Sequence, residues 1–175
     1  NTSLLFDTDG SLISSYRKIH LFDVDGADGV RFKESDTIAP GDTPVVAQTA
    51  CGQIGMSICY DLRFPELYRT LVDKGAEILA IPSAFTKKTG EAHWHTLIKA
   101  RAIENQTWVL APGQFGHHDD AGLRHSYGHS MIVNPWGEIV AEISSGEGFC
   151  LAEVDLEDVA RVRASMPLSA HRRIG

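Results

Sequence analysis

One stretch constrains the chain more than any other: Gly55-Met56-Ser57-Ile58-Cys59-Tyr60-Asp61-Leu62-Arg63-Phe64-Pro65-Glu66. An apolar run leads into Cys59 and a polar turn follows. Pro65 then suits the first position of a helix, where its missing N–H costs nothing. Leu67, Tyr68, Leu71 and Val72 continue as a helical stripe, and Gly75 stops it. Residues 78–81 form a short apolar strand bounded by Pro82. Strand, helix and strand in this order predict a crossover between parallel strands. Cys59 then stands at the C-terminal end of a buried strand, where open α/β sheets place their reactive groups. Free cysteine is also among the most buried residue types, so position alone leaves a core thiol open as the other reading.

The rest of the chain fills in around this unit. Residues 4–6 and 11–17 flank Asp9-Gly10, a strong hairpin signal. The second of these strands delivers Lys18 and His20. Residues 26–41 read as a long polar loop, of the kind that is usually functional or disordered. Residues 44–50 and 53–58 read as strands joined at Cys51-Gly52. Residues 83–92 read as a loop, with Thr89-Gly90-Glu91 ahead of a helix marked by Trp94, Leu97, Ile98 and Ala102. A buried strand at 107–111 and a His- and Gly-rich loop at 114–126 follow. Strands at 131–133 and 138–143 flank the turn Asn134-Pro135-Trp136-Gly137. A last strand is expected at 149–154, and Asp155 caps a short helix to about residue 163. The tail, residues 166–175, lacks periodicity and is expected to pack on another element or another subunit. Strands and helices alternate without a linker or repeat, which predicts one α/β domain over residues 1–175.

Composition excludes several classes of partner. The 175 residues carry 16 basic and 23 acidic side chains, a net charge of −7. No basic stripe for nucleic acid is present, and an anionic membrane would repel the chain. No apolar run approaches the roughly 20 residues of a transmembrane helix. The three cysteines, Cys51, Cys59 and Cys150, have unrelated spacings and form neither a disulfide framework nor a zinc ligand set. A reducing cytoplasm is the simple expectation.

The chemistry on offer is that of a thiol. A cysteine is a nucleophile only as thiolate, and it needs a positive or hydrogen-bonding environment. The preceding strand end offers Lys18, a compact cation suited to a developing oxyanion, and His20, a possible base. Cys59 with His20 is one pairing; Cys59 with Lys18 and Glu34 is another, and spacing does not separate them. Arg63 and Glu66 read as structural residues around the turn, and Arg101, Glu104 and Asn105 as helix residues bracing the loops. Phe85, Thr86 and Trp94 read as core more than as pocket lining. His93 and His95 fall on different helix faces, and the run His117-His118-Asp119-Asp120 reads as a solvated loop. No metal and no cofactor is therefore expected.

Three motifs then carry a resemblance: Tyr16-Arg17-Lys18-Ile19-His20-Leu21-Phe22-Asp23, the stretch from Ser57 to Glu66, and Arg101-Ala102-Ile103-Glu104-Asn105-Gln106. With Gly128-His129-Ser130, Asn134-Pro135-Trp136-Gly137 and His171-Arg172-Arg173, they resemble the nitrilase superfamily of carbon–nitrogen hydrolases along nearly the whole chain. Gly90-Glu91-Ala92-His93-Trp94 is most similar to the omega-amidase and deaminated-glutathione amidase branch.

The resemblance implies a four-layer αββα sandwich and a Glu–Lys–Cys catalytic set. Cys59 matches the nucleophile, Lys18 the lysine that stabilises the tetrahedral intermediate, and Glu34 the auxiliary glutamate. The Tyr60 N–H matches a second oxyanion donor. The general-base glutamate belongs well upstream of Lys18, so the chain is expected to be the C-terminal portion of the domain, its N-terminal part missing. The implied reaction is hydrolysis of a non-peptide C–N bond in a small linear amide, with release of ammonia through a thioester, and a homo-oligomer is expected. The alternatives are a non-catalytic fragment or scaffold, or a nitrilase or N-carbamoyl hydrolase of the same superfamily.

Overall fold

The computed structural model describes residues 1–25, 31–118 and 124–174. Strands β1 (Thr2–Phe6) and β2 (Leu12–Arg17) form the expected hairpin, with Gly10 turning the chain at a φ of +83°. Strand β3 (Asp23–Asp25) pairs with β4 (Arg31–Lys33), and a single 3₁₀ turn, Glu34–Asp36, follows. The chain continues through β5 (Val46–Thr49), β6 (Gly52–Met56), a 3₁₀ turn at Cys59–Arg63, α1 (Pro65–Asp73) and β7 (Ile78–Ala80). Helix α2 (Lys87–Asn105) leads to β8 (Trp108–Ala111), β9 (Phe115–His117) and β10 (His125–Tyr127). Strands β11 (Met131–Val133) and β12 (Ile139–Glu142) and helices α3 (Leu156–Ser165) and α4 (Leu168–His171) complete it.

Six strands make one mixed sheet in the order β12-β11-β8-β7-β6-β5. Its centre, β6-β7-β8, is parallel, and its two flanks are antiparallel. The parallel centre follows from two crossovers, one through α1 and one through α2. Local chemistry sets the limits of α1: Pro65 opens it and Gly75 closes it at φ +101°, with Gly75 N–H on the Val72 carbonyl and Ala76 N–H on the Leu71 carbonyl. That pair of bonds is the glycine-terminated helix end that satisfies otherwise orphaned carbonyls.

Leu71 and Leu67 of α1 and Trp94 and Ile98 of α2 pack with Leu79, Val109, Met131 and Val133 of the sheet in the largest apolar cluster. On other sheet residues, Val159 of α3 packs with Ile78 and Trp108, and Tyr16 of β2 packs with Met56 and Ile58. The fold is thus α/β around a mixed sheet. Of the expected sandwich, the described residues supply the helix layer, the six-stranded sheet, the β1–β2 hairpin and α3.

The structure corrects several expectations. The two long loops are in part ribbons, β3–β4 and β9–β10; Asp119 and Asp120 lie outside the described residues. Helix α2 begins at Lys87, with the Thr86 side chain accepting from the Thr89 N–H, so Gly90 is inside it. No strand forms at 149–154 among the described residues, and Phe149 and Leu151 are exposed. The tail meets the first of its two expectations, packing on another element: Arg172 reaches Asp73 of α1 at 2.9 Å.

Gly90 stays a glycine for a packing reason. A Cβ there would come within 2.3 Å of the Cβ and Cγ of Tyr127 on β10. Helix propensity alone favours Gly90→Ala by about 1 kcal/mol, whereas forced overpacking costs about 1–3 kcal/mol. The overlap with the root of a ring should win, so urea denaturation of Gly90→Ala should show a net loss of about 1 kcal/mol. A net gain would mean that α2 and β10 do not pack this closely.

Candidate active site

The C-terminal ends of β6, β7 and β8 open into a cleft of about 1250 Å³. Ile58, Cys59 and Tyr60 enter it after β6, Pro82 to Ala84 after β7, and Pro112 to Gln114 after β8. Lys18, Phe22, Phe32 and Glu34 close it from the segments around the β3–β4 ribbon, and His125 and Ser126 from β10. This is the edge at which a parallel sheet presents its backbone ends to a ligand.

Cys59 is half-buried and has a left-handed backbone, φ +50°. A non-glycine residue in that region costs about 1–2 kcal/mol, and such strain clusters at functional sites. The surrounding bonds impose it. Cys59 N–H donates to the Pro82 carbonyl at 2.9 Å, and Ile58 N–H to Asp61 Oδ2 at 2.8 Å. Tyr60 follows in the first turn, where N–H groups lack partners within the helix itself.

Lys18 is only 3% exposed, and its Nζ lies 2.5 Å from Glu34 Oε2. Glu34 also accepts from Phe22 N–H and from the Asn1 side chain, each at 2.8 Å. Burial works against the Glu34 charge, but the bonds from Lys18, Asn1 and Phe22 outweigh it and hold its carboxyl below the ordinary value. For the Cys59 thiol the balance goes the other way. Burial pushes it up, and Glu34 and Asp61 add to the rise. The Ala84 N–H and the Lys18 charge pull it down without cancelling the rise.

Lys18, Glu34, Cys59 and Tyr60 thus line one cleft. His20 does not line it. Its ring stacks on Phe64 at 3.7 Å and its Nδ1 lies 2.7 Å from Asp61 Oδ1, so the structure does not pair it with Cys59. Arg63, read as structural, lines the cleft with its guanidinium over Phe85 and Tyr60. Phe85 and Thr86 line it too, whereas Trp94 is core.

Of the two braces around the turn, Arg101 meets the expectation of a helix residue bracing the loops, whereas Asp61 was not legible in the sequence. Asp61, wholly buried, gathers Tyr16 Oη, Ile58 N–H, His20 N–H and the His20 ring. Arg101 donates twice to the Leu62 carbonyl, at 3.1 and 2.7 Å, and once to Glu104. The Ala84 N–H was also missed. Its place just past a parallel strand's C-terminal end was the signal that could have found it.

A thiol at the edge of a parallel sheet, facing an ammonium–carboxylate pair, defines an α/β protein equipped for nucleophilic chemistry on a small ligand. The chain belongs to the carbon–nitrogen hydrolase family, whose model matches residues 1–164. It is similar to deaminated glutathione amidase of Mus musculus, 48% identical over 99% of this chain and 53% of that protein. It is similar in structure to the C. elegans NitFhit protein, with a TM-score of 0.92 at 47% identity over 99% of this chain and 42% of the other. Nit3 of Saccharomyces cerevisiae, described as a member of branch 10 of the nitrilase superfamily, gives a TM-score of 0.85 at 41% identity over 99% of this chain and 60% of the other. The chain therefore spans about half of the length of the relatives it matches.

The electrostatics of the cleft predict the pH profile of the thiol. Alkylation of Cys59 by iodoacetamide, followed by mass spectrometry of its peptide, should rise through a midpoint above that of an ordinary thiol. Lys18→Met removes a charge that favours the thiolate and should move the midpoint up. Glu34→Gln removes one that disfavours it and should move the midpoint down.

Proposed function

We propose that the protein is a cysteine-dependent amidase that hydrolyses the C–N bond of a small linear amide and releases ammonia through a thioester. The reading rests on one observation above all: the half-buried sulfur of Cys59 and the Lys18–Glu34 ion pair line the same open cleft. The thiolate attacks the amide carbon, and the carbonyl oxygen takes up the negative charge. The Lys18 ammonium and the Tyr60 N–H are the donors we assign to that oxyanion. The nitrogen leaves as ammonia with the proton given up by the thiol, and the acyl group stays on sulfur until water releases it. Glu34 holds the Lys18 ammonium in position. The water-activating base is the glutamate that the resemblance puts upstream of Lys18; residues 1–17 contain none.

The acyl group fits an anion. Arg63 lines the cleft with its guanidinium over Phe85 and Tyr60 and 3.3 Å from His93 Nδ1, and it forms no ion pair with a carboxylate among the described residues. A carboxylate at the far end of the substrate would meet it by a charge-assisted bond. Relatives named deaminated glutathione amidase are in keeping with such a substrate. A homo-oligomer in a reducing cytoplasm completes the proposal. The three cysteines are free, and none of the described helices is long and apolar enough to cross a membrane.

A panel of amides, nitriles and N-carbamoyl compounds, assayed for ammonia and for acyl-enzyme by mass spectrometry, tests the reading. Cys59→Ala should abolish both the thioester and turnover, and retained turnover would reject the thiol mechanism. Lys18→Met should lower kcat by about 10²–10³-fold, the usual worth of one oxyanion donor. Arg63→Met should raise KM for carboxylate-bearing amides with a smaller effect on neutral ones. Ammonia release by the 175-residue chain itself would reject the scaffold alternative.

A further inference from the structure

Away from the cleft, helix α2, the segment leading into β11 and the end of β12 bring together His95, His129 and Glu142. None of the three lines the cleft. His95 Nε2 lies 2.8 Å and His129 Nδ1 2.7 Å from the same oxygen, Glu142 Oε1. The three ligand atoms all fall within 4.8 Å of one another. We propose that these residues form a binding site for one divalent transition-metal ion of the zinc type, which would clamp α2 to the β11–β12 pair.

The donor set is the first support. Two neutral imidazoles and one carboxylate suit zinc, and three protein ligands leave a fourth position for water. The carboxylate is ready for this role. Its Oε1 already faces both imidazoles, 2.8 Å from His95 Nε2 and 2.7 Å from His129 Nδ1.

Preorganisation is the second support. His129 has a left-handed backbone, φ +55°, and its carbonyl accepts from the indole N–H of the fully buried Trp94 at 2.8 Å. Its ring stacks on Tyr127 at 4.2 Å, and the His95 ring stands edge-on to both. Aromatic packing and a neighbouring buried side chain therefore hold the two imidazoles before any ion arrives, as outer partners do at metal sites.

The size fits after small movements of the three side chains, whose ligand atoms lie within 4.8 Å of one another. Ligand atoms about 2.0–2.1 Å from a tetrahedral ion stand about 3.4 Å apart. Glu142 Oε1 must then retreat by about 0.6 Å from each nitrogen, which a carboxylate at the end of a part-exposed side chain can do. The side chains of His95, Glu142 and His129 are 34%, 25% and 21% exposed, so an ion has access from solvent. Each neutral imidazole would move its proton to its other ring nitrogen, and the ion would replace the two N–H bridges to Glu142.

Titration of the purified protein with Zn²⁺ by calorimetry, and with Co²⁺ by visible absorption, tests the proposal. One equivalent of either ion should bind, Zn²⁺ should raise Tm, and the Co²⁺ spectrum should be that of a four- or five-coordinate ion. Glu142→Gln keeps a hydrogen-bond acceptor but loses the anion, and His95→Gln removes one imidazole. Each should weaken binding by about ten-fold or more and remove the rise in Tm, with circular dichroism confirming that the variant is folded. His117→Ala, which removes an imidazole from the β9–β10 ribbon, should leave the titration unchanged. Absence of saturable binding, binding that survives Glu142→Gln and His95→Gln, or binding lost in His117→Ala instead would overturn it.

Discussion

The carboxylate of Asp61 holds the molecule's chemistry together. It is wholly buried and would be costly there without partners. It has four, drawn from three segments: the Tyr16 hydroxyl on β2, the His20 backbone and ring just after β2, and the Ile58 N–H ahead of the cysteine. Lys18 lies between Tyr16 and His20. A lysine whose neighbours on both sides are bound to the carboxylate of the cysteine turn has little freedom to leave that turn. One of the four, from the Ile58 N–H, joins the bond from the Cys59 N–H to the Pro82 carbonyl in seating the left-handed Cys59. From the other side, Arg101 grips the Leu62 carbonyl and ties the turn to α2. The strain at Cys59, about 1–2 kcal/mol, is small beside a network in which each bond to a buried charge contributes about 1.5–3 kcal/mol.

This division explains which parts of the molecule could be read in advance. Pro65, Gly75 and Asp9-Gly10 act through local backbone geometry, so the first crossover and the first hairpin were legible. The ribbons β3–β4 and β9–β10 were not. Their strands are three residues long and polar, with no apolar face to set a period. Residues 149–154 failed in the opposite sense: they carry apolar residues suited to a strand, but no sheet edge receives them. Gly90 looked like a boundary and is instead an allowance for the Tyr127 ring.

The site divides along the same line. Cys59 was visible from its place at a strand end. Lys18 and Glu34 were chosen only through the resemblance, because no short-range rule joins residues 16 apart across a ribbon. Asp61 and Tyr16 are 45 apart, and Asp61 and His20 are 41 apart. Asp61 therefore gave no sign of being the hub, and His20 looked like a base when its ring serves as a strut.

The balance of charges says how such a cleft would work. A lone lysine beside Cys59 would favour a standing thiolate. Here Glu34 sits 2.5 Å from the ammonium and offsets much of its field, while burial raises the thiol further. Burial and the Glu34 and Asp61 charges push the thiol up against the pull of Lys18 and the Ala84 N–H. Attack would then be coupled to removal of its proton. In the proposed reaction an arriving carbonyl would change the balance, because charge leaving the sulfur would accumulate on the oxygen assigned to the lysine. On that proposal, a pair that restrained the nucleophile at rest and stabilised its adduct would favour the tetrahedral state over both free thiolate and bound substrate, the differential binding that catalysis requires.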